Sequence, residues 1–343
     1  MKVKAKFLTD LLMGALMALP LAGLTSCNLV REDLAECPTH IMELRFVYDY
    51  NMEFANAFPK QVDCLSAYIY NSDGELVTSQ IVTDRELLAD EEWRMRVELP
   101  DGDYQVVAYG GMECDNASFI HVNRPHEGSL LTDLHVQLDY NALFNADRYR
   151  LHNHFYGTTH FTADSSIDTR ATVEMMRNTN SVQIALQHID GSIINCDDFI
   201  FEIVDDNNDF DFENNLIASG DITYHPWETL NASTGVDENG EEWHTALARF
   251  TVSRLVRSKP TTCRLNVYRR ADNSTVFSIP LINYMLLFKH GNTDLALDGK
   301  MSDQEYLDRE NTWNFVFFLR DNVWLNTRII VNDWEVRLNS TDF

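Results

Sequence analysis

The sequence predicts an all-β protein, two β-sandwich domains in tandem with few short helices. Three observations carry this. Apolar and polar residues alternate with a period of two along many short runs, as they do in half-buried strands. Turn residues such as Asp-Gly and Pro-Asp-Gly punctuate those runs, and helical spacing is scarce. The chain has 343 residues, of which 45% are hydrophobic and 11% aromatic. That is enough for about two domains with cores of their own, and too apolar for a disordered chain.

Element by element, the run 41–50 places Met42, Leu44, Phe46, Tyr48 and Tyr50 on one face and Glu43, Arg45 and Asp49 on the other. A strand over 62–70 turns at Asn71-Ser72-Asp73-Gly74 and returns over 75–82. A second hairpin joins 94–99 to 104–109 through Pro100-Asp101-Gly102, and further strands are expected at 134–138 and 145–154. The polar stretch 161–170 has no periodicity and is expected to connect the domains. Strands then resume at 172–176, 181–187, 199–204, 246–255, 262–268, 275–281, 312–319 and 327–338. Helices are expected at 284–289 and 302–309, where Ser302 and Glu305 have capping-box spacing. No short repeat is present, which excludes a propeller or solenoid.

The N-terminus looks like an address. Lys2, Lys4 and Lys6 precede the apolar run LLMGALMALPLAGL, which is too short and too broken to span a membrane. It ends at Leu24-Thr25-Ser26-Cys27, which resembles the lipobox of bacterial lipoproteins. The resemblance implies a signal peptide over 1–26, acyl chains on Cys27 and an acylated tether over 27–39. Each buried methylene of such a chain contributes about 0.8 kcal/mol, so two chains anchor stably. Arg31-Glu32-Asp33 is similar to surface-export tags of Bacteroidetes lipoproteins. The domains are then 40–165 and 166–343. Cys37, Cys64, Cys114, Cys196 and Cys263 remain, an odd number for which the sequence fixes no pairing. Cys64 and Cys263 lie in apolar runs and are expected to be buried free thiols.

The formal charge of −26 excludes nucleic acid as a partner, since binding needs cations that displace counterions. His152 and His154 alternate, with His160 beyond, and on a strand the first two would share a face. No carboxylate or cysteine stands at ligand spacing beside them, so no metal and no cofactor is expected. In 205–213, Asp205, Asn207 and Asp209 echo a calcium loop. Phe210 stands where glycine is needed and Leu216 where a bidentate glutamate is, so a solvated acidic loop is expected instead. No nucleophile elbow, zincin motif, phosphate loop or Cys-x-x-Cys pair occurs, and no catalytic residue is assigned.

Several segments in order resemble one family, the FimB-type fimbrial anchor lipoproteins related to fimbrillins of Bacteroidia type V fimbriae. They are the Cys27–Pro38 tether, LRFVYDYN at 44–51, AYIYNSDG at 67–74, LPDGDY at 99–104 and YGG at 109–111. LINYMLLF at 281–288, QEYLDRE at 304–310 and IVNDW at 330–334 follow. The resemblance implies transthyretin-like Greek-key sandwiches and a non-enzymatic subunit at the base of a fimbrium. It would be held in the outer membrane by acyl chains and exposed at the cell surface, with a fimbrillin shaft subunit as partner. It would stop shaft growth through strand exchange, a mode in which a donated strand supplies a hydrogen-bond ladder. Expected contact residues are Trp334, Ile330 and Val336. Shaft proteins of the type lose an N-terminal strand to an arginine-directed protease. An anchor cut at Arg45 would lose Cys27, so Arg45 is expected to stay intact. A surface glycan-binding lipoprotein of a nutrient-capture system, stacking sugars on some of its 6 Trp and 13 Tyr, is the alternative.

Overall fold

A computed structural model describes residues 41–236, 240, 242–257, 263–291, 300–332 and 334–337. The expected signal peptide, Cys27 and the expected tether lie outside the described residues.

The first nine strands are β1 (Met42–Val47), β2 (Leu65–Asn71), β3 (Leu76–Val82), β4 (Met95–Val97), β5 (Gly102–Gly110), β6 (Phe119–His121), β7 (Val136–Leu138), β8 (Phe155–Ala163) and β9 (Thr169–Arg177). Seven of them form a sheet in the order β3-β2-β5-β8-β9-β1-β4. Its two ends fold over one another because β9 serves both layers. Thr169 to Glu174 pair in parallel with β1, and Met175 to Arg177 pair with the start of β8. Gly157 permits this crossing, since a Cβ there would stand 2.7 Å from the Glu174 carbonyl oxygen. Alternation then does what it promised. Leu44 and Phe46 of β1 meet Leu65, Ala67 and Ile69 of β2 and Val106 and Ala108 of β5 in one core.

The other face of β2 and β5 is covered too, so Leu65 to Tyr70 are all buried. Tyr68, Tyr70, Val107 and Tyr109 pack on the excursion between β5 and β8, through Phe119, Leu134, Val136 and Leu138.

The second half continues with β10 (Thr179–His188), β11 (Phe199–Asp205), β12 (Asp209–Phe210), β13 (Ile222–Tyr224), β14 (Glu228–Val236), β15 (Glu242–Ser253), β16 (Arg264–Arg269), β17 (Thr275–Pro280), β18 (Thr312–Arg320), β19 (Val323–Val331) and β20 (Trp334–Arg337). A six-stranded sheet, β14-β15-β10-β18-β19-β20, faces a four-stranded one, β13-β11-β16-β17. Val182, Ile184, Phe250, Trp313, Phe315 and Phe317 from the first meet Phe199, Phe201, Leu265, Val267 and Phe277 from the second. Two helices, α1 (Leu281–Gly291) and α2 (Asp303–Arg309), add Met285, Tyr306 and Leu307 to this core. Glu305 N–H donates to Ser302 Oγ at 3.1 Å, the cap that the spacing predicts.

The all-β, tandem-sandwich expectation holds, and five local expectations need correction. The runs 94–99 and 104–109 form no hairpin together, because β4 pairs with β1 while β5 lies between β2 and β8. The stretch 161–170 is the end of β8, a turn and the start of β9, so a division at 165/166 would split a pair of strands that share one sheet. The stretch 145–154 is no strand. Asn145 Oδ1 caps a helical turn at Ala146–Arg148 instead. The described part of the closing run 327–338 is the end of β19 and then β20, not one strand, and Asn332 between them has φ +46°. The run 205–209 is buried, not solvated. β12 pairs with β7, joining the halves in a three-stranded sheet, β12-β7-β6. Most polar groups on that seam are met, the Asn208 amide nitrogen excepted. Ser219 and Gly220 N–H donate to Asp206, Tyr224 O–H donates to Asn207, and His135 and Gln137 contact the Asp209 carboxylate.

Candidate functional site

The residues expected to touch a partner sit together on the β19–β20 hairpin. Asn332 clips this hairpin to β18: its Oδ1 accepts from Asn314 N at 2.7 Å, and its Nδ2 donates to Thr312 O at 3.2 Å. Register divides the three residues between two rows. Trp334 pairs with Val331 and Val336 with Ile329, the partners of Phe315 and Phe317 on β18. Phe315, Phe317 and Val331 are core side chains, and Trp334 and Val336 pair at the register positions in line with them. Ile330 pairs with Glu335 and Val316 in the opposite row. Among the described residues β20 ends the sheet, and what the hairpin offers along its length is that side of β20.

The other sheet ends are less suited to accept a strand. β4 and β13 have three residues each, and β3, β14 and β17 all pair with a register shift. The four described residues of β20 pair with β19 in unbroken register.

The histidine pair does not share a face, because 152–154 precede β8. His154 is fully buried, with its ring 4.3 Å from Phe119 and 5.8 Å from Tyr109, and burial pushes its pKa down to about 3. His152 turns the other way and its Nε2 lies 3.0 Å from Asp63 Oδ1. That contact holds the Asp63 carboxyl below its ordinary pKa. Beside it, Cys64 and Cys114 form a disulfide, which corrects the expectation of a free Cys64 thiol. Cys263 is a free buried thiol, as expected, and burial pushes its pKa far up. Sequence spacing missed the Asp63–His152 pair because its members lie 89 positions apart.

A family model described as fimbrillin-A associated anchor proteins Mfa1 and Mfa2 matches residues 34–340. The chain belongs to this family. The fimbrial anchor resemblance drawn from the ordered segments is thereby borne out. The minor fimbrium anchoring subunit Mfa2 of Porphyromonas gingivalis is 24% identical over 282 residues, 79% of each chain. The solved structure of a candidate adhesin of Bacteroides thetaiotaomicron is 43% identical, with a TM-score of 0.82 over 90% of this chain and 100% of that one. The structure of the fimbrial anchor protein Mfa2 of Porphyromonas gingivalis shares the fold at 14% identity, with a TM-score of 0.62 over 87% of this chain and 99% of that one. Among the described residues no helix is long and apolar enough to cross a membrane.

Proposed function

We propose that the chain is the lipid-anchored basal subunit of a fimbrium. Cys27 carries the acyl chains, which hold the protein in the outer membrane with its sandwiches at the cell surface. The free side of β20 engages a fimbrillin shaft subunit by strand addition and so ends growth of the shaft. The observation that carries this reading is the family match, which runs through both sandwiches and into the hairpin. The regular, terminal pairing of β20 supports the contact mode, since an unbroken edge can take one more ladder. We place the division between the two units after Arg177, where the first sheet ends.

Deleting the gene is expected to give longer fimbriae that shed into the medium, and Cys27→Ala to release the protein from the membrane fraction. Cell-bound fimbriae of normal length in the deletion strain would overturn the reading. The glycan alternative fits less well, because none of the tryptophans whose side chains are described is an exposed platform. The guanidinium of Arg150 already covers the Trp227 ring at 4.7 Å.

A further inference from the structure

Three segments distant in sequence meet at one end of the first sandwich. They are residues 63–64 before β2, the loop after β5, and residues 152–153 before β8. Their closeness is built into the backbone. Gly111 N–H donates to the Cys64 carbonyl at 3.0 Å, and Gly111 has φ +84°. A Cβ at Gly111 would stand 1.8 Å from the Asn153 carbonyl oxygen, so only glycine lets the loop and the 152–153 segment touch. His152 N–H donates to Ser118 Oγ at 2.8 Å, and Arg177 Nη2 donates to Asn153 Oδ1 at 2.7 Å. Side chains on these segments are therefore positioned by main-chain packing as well as by each other.

What they bring together is a donor set. A carboxylate oxygen of Asp63 and the sulfurs of Cys64 and Cys114 all lie within 4.8 Å of one another. Cys114 Sγ lies 3.4 Å from Asp63 Oδ1, and His152 Nε2 lies 3.0 Å from the same oxygen. Two sulfurs, an imidazole and a carboxylate are the ligand types of a four-coordinate zinc centre. In the structure the sulfurs are joined as a disulfide and offer no thiolate.

We propose that Asp63, Cys64, Cys114 and His152 form a redox-gated zinc site, a disulfide when oxidised and a tetrahedral zinc centre when reduced. A dithiol reductant supplies two electrons and two protons, breaks the S–S bond to two thiols and leaves as its own disulfide. Zinc then binds as both thiols release their protons to solvent and His152 carries its remaining proton on Nδ1. The His152 ring, which stands outside the 4.8 Å set, must close on the sulfurs. The two sulfurs must separate to about 3.8 Å, the edge of a tetrahedron with Zn–S bonds of about 2.3 Å. Cys114 can make this movement, because it is partly exposed on a loop, while Cys64 is 1% exposed at the head of β2.

The test uses the full chain in detergent, as the disulfide form and after reduction with a trialkylphosphine. The phosphine becomes its oxide, with water supplying the oxygen and the two protons. Each form is titrated with zinc against a chromophoric chelator. The reduced protein is expected to bind one equivalent that the oxidised protein does not. His152→Ala and Asp63→Ala are expected to weaken that binding at least tenfold, since even outer-shell partners are worth that much. Both variants keep the disulfide, so their folding is verified by oxidised melting curves before reduction. Cobalt in place of zinc is expected to give thiolate charge-transfer absorption that replacing both Cys64 and Cys114 by serine abolishes, although Cys37, Cys196 and Cys263 remain. Equal zinc binding by oxidised and reduced protein, no binding by either, or binding unchanged in His152→Ala and Asp63→Ala would overturn the proposal.

Discussion

His121 shows how much one side chain can be set by its surroundings. Its Nε2 lies 2.9 Å from Tyr68 Oη, and its ring meets Tyr68 and Tyr109 edge-on. Arg124, paired with Glu113, is the charge that acts on it, and His154 lies across the Tyr109 ring. Burial, with Arg124 adding to it, pushes the His121 pKa from 6.5 down to about 4. Between those values the unfolded chain takes up a proton that the folded chain refuses. Stability from this group is therefore full above pH 6.5 and falls as pH drops toward about 4. In His121→Gln the slope of unfolding free energy against pH in that window is expected to shrink by up to about 1.4 kcal/mol per pH unit. Urea titrations at several pH values measure it, and identical slopes would refute the assignment. Little of this was legible in the sequence, where His121 follows an ordinary apolar pair. The same holds at the disulfide. Cys64 reads as a core thiol because it opens the apolar run of β2, and Cys114 reads as a loop residue.

At the scale of elements, period-two alternation located most strands, since a one-sided core leaves its mark on every second residue. It failed where other forces decide. In β14 one row carries Asn231, Ser233 and Gly235, and the other only Leu230, Ala232 and Val236 among polar residues. That alternation is too weak to read, and pairing with β15 makes β14 a strand. The acidic run misled for a physical reason: charge counts as solvation only when the backbone is free, and β12 is committed to β7. The partner-contact residues were legible as a group but not by row. β1 carries a testable consequence. Arg45 is exposed as a side chain, yet its backbone pairs with Thr172 of β9, one residue past Leu44, the last β1 residue that β4 covers. A protease needs an extended, unpaired backbone, so an arginine-specific protease is expected to spare Arg45 in the folded chain and cut it in denaturant. Mass spectrometry finding a native fragment that starts at Phe46 would contradict this.

For the whole molecule, the decisive fact is that the interior does not stop at the boundary between units. One cluster of buried side chains includes Tyr109, Phe119 and Tyr156 together with Phe210, Phe250 and Trp313. Tyr156 O–H donates to the Phe212 carbonyl at 3.0 Å, and Asn178 and Asn214 exchange amide hydrogen bonds while fully enclosed. Cutting the chain after Arg177 would bare that apolar face, which costs about 25 cal/mol for each Å² exposed. The intact protein is expected to unfold in one calorimetric transition, and a fragment of residues 41–177 to aggregate or bind a hydrophobic dye. Two transitions, with the fragment melting at the lower one, would show the units to be independent. The parallel pairings add a matter of timing. Met42 finds its β9 partner, Thr169, only 127 positions later, and Ser181 waits 131 positions for Thr312. A polypeptide delivered N-terminus first, from a ribosome or through a narrow pore, cannot close either half until its late strand has emerged. Delayed closure of this kind keeps the chain threadable for as long as it is being moved.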